Sequence, residues 1–482
     1  MDAPASNRPR VNYRDLRDYL ALLEGAGLLH RITAEVDPRV ELGAVAARSL
    51  ERKGPALMFE NVKGYRGKKL VANIIATNEQ LAIAFNTKPE EEAIQERVVE
   101  GMDHRIPSVT LDTGPCKETI VTGDAIDIDM IPTPLWHEQD GGRYLGTTAG
   151  IVTRDPLTGF LNMGSYRVMI LDKKTLSLSG GLRGRKALTG PGGGDHVLDN
   201  EKEGKPTPVA IVMGMDPLLT LASGSPVRPD ESDGSMEYEA AGGWRGFPTE
   251  LVKCETSDLL VPAHAEMVIE GEVVPNVRTP EGPHGESTGF YGENKQAFLV
   301  NITCITHRKD PVTYGLICLR VEDYPRQLLR SGSMQSRIIA KTGFTNIREV
   351  YFPEVGRHGM LIVSAAIRDK DEPKRIMDGI WDDIGERWRW IIVVDEDCNV
   401  RDWEEVMWRV CAAADPAQDI FKGKEHAPRG RHRGEVDFDP PSHGLGIDAT
   451  MRFKPNKFPP VNKVSDSLMR KVAARWDEFG LS

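Results

Sequence analysis

AEMVIEGEVVPNVRTPEGPHGESTGFYGENKQAFLVNITCIT, residues 265–306, holds two β-branched runs, AEMVIEGEVV (265–274) and AFLVNITCIT (297–306), on either side of a glycine- and proline-rich centre. The runs read as strands. In the centre, TPEGPHGESTGFYG (279–292) sets Glu281 and Glu286 around His284 where no helix can form, and PNVRTPEGPH makes a poor strand. A separation of five is an odd step on a strand and about 140° round a helix, so regular structure would point the two carboxylates apart. An irregular turn converges them, and Gly282, Pro283 and Gly285 are what such a turn needs. Two carboxylates brought together repel, so one tends to hold its proton near neutral pH and can act as an acid.

Working outward, the short runs GIVTRD, YRVMILD, PVAIVMG and PVTYGLIC continue the strand pattern from about residue 116 to 318, as a sandwich or barrel would show. Upstream, NYRDLRDYLALLEGAGLL (12–29) places Leu16, Tyr19, Leu20 and Leu23 on one helical stripe before Gly25 and Gly27. A second helical pattern covers 38–52, and PALMFENVKGYRGKKLVANI (55–74) reads as two short strands. Downstream, DEPKRIMDGIWDDIG (371–385) is a helix with Pro373 near its start, WIIVVDED (390–397) an apolar strand, and DWEEVMWRV (402–410) a helix capped at Asp402. The expected architecture is therefore a mixed α+β and α/β multidomain chain: an N-terminal α/β domain over 1–115, a strand-rich domain over 116–318 and a C-terminal α/β domain over 319–482. The last forty residues, rich in Pro, Gly and His, are expected to form an extended arm over another surface.

At 482 residues the chain exceeds what one core supports. Its formal charge of −11 argues against a nucleic-acid surface, which needs a basic excess. The N-terminus, MDAPASNRPRVNYRDL, has no apolar signal core, and nowhere are 18 consecutive residues apolar, so no membrane span and a cytoplasmic location are expected. Six cysteines without a CxxC pair read as reduced, mostly buried thiols.

Other local patterns have plainer readings. GESTG (285–289) matches the nucleophile elbow with Ser287, but that motif requires a strand before it and a helix after it. LTGPGGGDH (188–196) reads as a flexible loop, since no P-loop lysine follows. His426 and His432 lack zinc spacing and read as part of a basic exposed loop; Asp395, Glu396 and Asp397 read as a solvated strand end in preference to a metal site.

NMGSYRVMILD (162–172), MEYEAAGGWRG (236–246) and EGPHGESTGFY (281–291), in this order and spacing, resemble the UbiD-like family of prenylated-FMN-dependent (de)carboxylases, over a span from about Tyr13 to GLGIDAT (444–450). The resemblance implies a central split β-barrel that binds the flavin and a C-terminal α/β domain that mediates oligomerisation. It implies an Arg167, Glu281 and Glu286 trio, with Arg167 holding a substrate carboxylate, Glu281 orienting Arg167 and Glu286 delivering a proton. Asn162, Ser165, Tyr166, Arg167, Arg183 and Glu237 become the expected cofactor-binding residues, with Asn162 and Glu237 as ligands of Mn2+ and a K+ ion nearby. The family's third metal ligand, a histidine 16 to 18 residues after the arginine, is missing: Arg183 stands near that place, and either His196 takes the role or Arg183 or Arg185 meets the phosphate directly. His284 is expected to be a pocket wall in preference to a proton shuttle.

By the same resemblance the substrate is an aromatic, heteroaromatic or α,β-unsaturated carboxylic acid, a flavin prenyltransferase supplies the cofactor, and the assembly is a homodimer or homohexamer. Two other readings stand beside it, a subunit of a multi-subunit phenol-type carboxylase and a non-catalytic flavin-binding protein.

Overall fold

A computed structural model of the chain describes residues 10–182, 191–225, 236–286, 289–319, 334–335, 338–356, 359–383, 389–426, 442–454, 458–459, 461–462 and 464–480. The architecture is a mixed α/β multidomain fold built on four sheets.

The first sheet orders Leu29–Ile32, Ala56–Phe59, Lys69–Ala72 and Val312–Tyr314. Its helix Leu16–Gly25 is capped by the Asp15 side chain and buries Leu16, Tyr19, Leu20 and Leu23, the stripe read from the sequence. Val312–Tyr314 runs parallel to Lys69–Ala72, so a segment far downstream completes this sheet.

The second sheet has eight strands, with Leu161–Ser165 at one edge, then Gly150–Arg154, Thr207–Met213, Met267–Gly285, Tyr291–His307, Thr175–Ser179 and finally Arg167–Ile170; Thr119–Thr122 also pairs with Tyr291–His307. Every pairing in it is antiparallel. The two end strands are consecutive in sequence, with Tyr166 alone between them. Two peptide units span at most about 7 Å, so the sheet must curve until its edges meet at Tyr166. Ile151, Val168, Leu178, Ile211, Ile269 and Phe298 from its strands join one buried core. A small sheet of Leu260–Pro262, Glu250–Lys253 and Val109–Leu111 lies apart from it.

The last sheet orders Ile347–Tyr351, Met360–Ala365, Trp390–Asp395, Ser442–Asp448 and Ile420–His426. Trp390–Asp395 has parallel neighbours on both sides. Ile391 and Val393 join a core with Ile376 and Ile380 of the helix Glu372–Asp383; Ile392 and Val394 join a second core with Val406 of the helix Trp403–Ala413. Burial on both faces is why this strand reads as an unbroken apolar run.

Three expectations change. The glycine-rich stretch is not all loop: Gly192 caps a helix, Gly193–Lys202, that buries His196. The last forty residues contribute strand Ser442–Asp448 to the sheet and a helix, Asp466–Ala473, so they are not simply an extended arm. His426 ends a strand, while His432 lies outside the described residues. The acids after Val394 form the expected solvated strand end at Glu396 and Asp397, which are exposed and pair with Arg348 and Arg409; Asp395 is buried and accepts the Met451 N–H. All six cysteines are free, four of them buried. Among the described residues no helix is long and apolar enough to cross a membrane.

Arg401 ties the C-terminal unit to the helix Glu91–Asp103. Its guanidinium meets Glu91 at 2.8 Å, Glu92 at 2.9 Å and Gln95 at 2.6 Å, and also pairs with Glu349. Burial raises the Glu349 carboxyl above its usual range, with Arg401 opposing. A raised carboxyl contributes stability that is present at low pH and lost as pH rises, so removing its cation enlarges that loss. Arg401→Ala should cost roughly 2 to 3 kcal/mol in urea unfolding at pH 8 and measurably less at pH 5; an equal cost at both would contradict this account.

Candidate active site

The segment Leu161–Ile170 crosses the place where the curved sheet's edges meet, and its last strand begins at Arg167. Opposite it, the long strand Met267–Gly285 loses regular register between Val273 and Arg278, between Thr279 and Glu281, and again between Glu281 and His284. The carboxylate stretch is thus a bulged strand as far as Gly285, not a turn, and the bulges supply the irregularity that brings Glu281 and Glu286 to one side. Gly282 has φ +105°, open to glycine but strained for any L side chain. The reversal comes after Gly285, where Glu286 N–H donates to Phe290 O and Gly289 N–H to Glu286 O.

Both glutamates meet one guanidinium. Arg167 Nη2 donates to Glu281 Oε2 at 2.7 Å, and Nη1 to Glu286 Oε1 at 2.5 Å. Side-chain exposure is 17% for Arg167, 0% for Glu281 and 19% for Glu286, so the trio opens to solvent on the Glu286 side. Burial raises the Glu281 carboxyl above its usual range, against the pull of Arg167 and a hydrogen bond from Tyr144. The burial penalty therefore falls on Glu281. Close approach is made possible by Gly292, where a Cβ would stand 2.5 Å from Glu286 Oε1 and 3.2 Å from Arg167 Nη1.

A second polar stretch, WHEQDGGRY (136–144), packs behind the trio. Tyr144 Oη donates to Glu281 Oε1 at 2.7 Å. Asp140 accepts the Gly285 N–H at 2.9 Å and the His137 N–H at 3.0 Å; burial would raise its carboxyl, but His137, His284 and the Gly285 amide hold it below the usual range. His284 lies buried against the Tyr144 ring, centroids 4.1 Å apart, and neither ring nitrogen has a hydrogen-bond partner. Burial pushes its pKa down to about 3, so the ring is neutral at working pH. Sequence reasoning missed Tyr144, Asp140 and His137, although a run of His, Asp, two glycines and Tyr beside a buried Trp136 carries the same signature as 281–286.

At the other end of the segment, Asn162 and Glu237 are both buried, and Glu237 Oε2 lies 3.4 Å from the Met163 N–H donor. Asn162 Nδ2 has no hydrogen-bond partner. Asn162 pairs across the sheet with Thr153, whose Oγ1 is 2.9 Å from His196 Nδ1. Directly opposed residues share a face of the sheet, so Asn162, Thr153 and His196 form one buried polar cluster. The unpartnered Nδ2 is a hydrogen-bond donor, so this end has a place for an acceptor oxygen. Among the described residues, however, no three His, Cys, Asp or Glu side chains converge as a metal site. Ser165 is half-buried at its strand end, and the Tyr166 hydroxyl accepts the Gly193 N–H at 3.1 Å. Arg183 and Arg185 lie outside the described residues, as does Ser287; the element after Ser287 is a strand, Tyr291–His307, which excludes the nucleophile elbow.

Comparison with known proteins covers nearly the whole chain. Residues 20–98, 108–321 and 331–449 match the N-terminal, Rift-related and C-terminal domains described for 3-octaprenyl-4-hydroxybenzoate carboxy-lyase. The uncharacterized protein sll0936 of Synechocystis is 31% identical, over 97% of this chain and 96% of its own. An evolved dimeric form of the UbiD-class enzyme HmfF from Pelotomaculum thermopropionicum, solved in complex with prFMN, is 28% identical with a TM-score of 0.78, covering 95% of this chain and 100% of that one. The open form of Sedimentibacter hydroxybenzoicus vanillic acid decarboxylase is 26% identical with a TM-score of 0.81, covering 97% and 99%. The chain belongs to the UbiD family of carboxy-lyases.

The buried imidazole yields a test of the packing. A base whose pKa is depressed from 6.5 to about 3 contributes stability that is present above pH 6.5 and lost as pH falls toward 3. His284→Phe should therefore gain on the wild type by about 2 kcal/mol between pH 7.5 and pH 5 in urea unfolding. A constant difference across that range would show that His284 is not held neutral.

Proposed function

We propose that this protein catalyses the reversible non-oxidative decarboxylation of an aromatic, heteroaromatic or α,β-unsaturated carboxylic acid with prenylated FMN. The observation that carries the reading is the Arg167 guanidinium shared by Glu281 and Glu286, with Glu281 enclosed while Arg167 and Glu286 reach solvent. The match to an enzyme solved with prFMN supports the choice of cofactor. In this reading the curved sheet is the split barrel that holds the flavin. When bound, the prenylated flavin supplies the electron sink that amino-acid side chains lack for loss of CO2 from an sp2 carbon.

The chain's own residues do the rest. Arg167 faces a substrate carboxylate with a planar pair of N–H donors. With both Nη atoms engaged, one glutamate has to let go before the substrate binds, and Glu286, the accessible one, does so on taking a proton. Protonation leaves Arg167 with one permanent partner and one vacant face, and it removes a negative charge from the approach of an anion. As the carboxylate carbon departs as CO2, the bond's electron pair stays on the substrate carbon. Glu286 delivers its proton there and is recharged from solvent. His284, neutral and buried, serves as a wall of the pocket. Asn162 and Glu237 would hold a divalent cation, Mn2+, at the flavin phosphate, with K+ nearby. The third contributor is either His196, which is hydrogen-bonded to Thr153, or Arg183 or Arg185 at the phosphate. Ser165 and Tyr166 line the cofactor's path. A flavin prenyltransferase supplies the cofactor, and the protein assembles as a homodimer or homohexamer.

The deciding experiment is to co-express the protein with a flavin prenyltransferase and measure CO2 release from a panel of such acids. Turnover by the purified chain supports the proposal. A requirement for further polypeptides would favour the carboxylase-subunit reading, and bound flavin without turnover the non-catalytic one. Glu286→Gln should retain flavin, read by absorbance, and lose turnover by at least about 100-fold. Arg167→Lys should lower kcat/KM by about 100-fold, since an ammonium cannot reproduce the two-point contact; near-wild-type values in either variant would remove the assigned role.

A further inference from the structure

We propose that Tyr144 is a positioning residue that makes Glu281, and not Glu286, the permanent partner of Arg167; the proposal rests on the reading of the trio given above. Glu281 is held at both oxygens, Oε1 by the Tyr144 hydroxyl and Oε2 by Arg167 Nη2, each at 2.7 Å. The Tyr144 ring is not free to follow a moving carboxylate. It is buried in a core with Leu57, Phe59, Trp136 and Met169, its backbone bridges that of Met169, and its face is covered by His284. The first sheet's core thus fixes the direction in which the hydroxyl points. Two carboxylates of the same chemistry on one cation would otherwise compete on equal terms for the charge.

The groups that act on Glu281 are Arg167 and Tyr144, which favour its ionised form, and Glu286, which opposes it. Behind them stand Asp140, His137 and His284, which face Tyr144 and each other. Burial keeps the phenol far above its ordinary range, so Tyr144 remains a donor at every working pH. Loss of that donor leaves Glu281 Oε1 inside the protein with its burial penalty less opposed. Its proton affinity then rises, and the two glutamates become alike.

The test reads Glu281 directly in the flavin-free protein. Infrared titration follows the carbonyl band of the protonated carboxyl, which Glu281→Gln identifies by its disappearance. Tyr144→Phe keeps the ring and removes the donor; it should raise the Glu281 midpoint by about one pH unit, a tenfold change in its ionisation. A purely structural role would lower the melting temperature and leave the midpoint where it was, and that result overturns the proposal. Should Tyr144→Phe fail to fold, fluorotyrosine incorporated at position 144 is a stronger donor of nearly the same shape; it must lower the midpoint, and no movement overturns the proposal equally. A shifted midpoint combined with no CO2 release by the loaded wild type would retain Tyr144 and discard the decarboxylase reading. Turnover with an unmoved midpoint would do the reverse.

Discussion

One cation between two anions is the constraint on which the rest of this structure depends. Arg167, Glu281 and Glu286 set one guanidinium against two carboxyl groups in a place only partly open to water. Coulomb attraction at 2.5 to 2.7 Å favours the pairs, but removing three ions from water opposes them, and the raised Glu281 carboxyl is the trace of that opposition. Such a group persists only when its surroundings leave it no alternative geometry. Here three separate segments do so: the strand edge that begins at Arg167, the bulged strand that carries Glu281, and the 136–144 stretch that supplies Tyr144 and Asp140. Each was shaped around the cation.

That explains which parts of the molecule could be read from the sequence. The helix Leu16–Gly25 and the strand Trp390–Asp395 follow local patterning, since a stripe or a two-sided apolar run states its own burial. The 279–285 stretch failed as a strand because bulges need what strands avoid, glycine and proline, and only the partner strand Tyr291–His307 reveals the ladder. Val312–Tyr314 sits beside Lys69–Ala72 across some 240 residues of chain, an address no local run of letters contains. The glycines of 192–194 looked like a loop because glycine lowers helix propensity; His196 and Val197, buried one turn later, pull the segment into a helix.

The candidate site divides in the same manner. Arg167, Glu281 and Glu286 were legible by resemblance, and the structure places them on one another. Tyr144 was not read, although its stretch repeats the titratable groups among glycines of 281–286, because only the fold brings its hydroxyl onto a carboxylate far along the chain. The same holds for His196, which reaches the neighbourhood of Asn162 only through Thr153 and the register of two antiparallel strands. In the sequence His196 looked like a remote substitute for a missing ligand.

The two polar centres also differ in a physically telling way. At the Arg167 end the charged groups pair with one another, and the unpartnered polar atoms belong to neutral side chains, His284 and Trp136. At the Asn162 end the orphan is a buried amide donor, which calls for an acceptor oxygen. A chain that spans both within Leu161–Ile170 ties them through the junction of the sheet's two end strands, so whatever occupies one end is held near a fixed distance from the other. In the proposed reading that segment is the ruler: it sets the cofactor's anchored end against the carboxylate clamp, and a shift of the Tyr166 junction would misplace both at once.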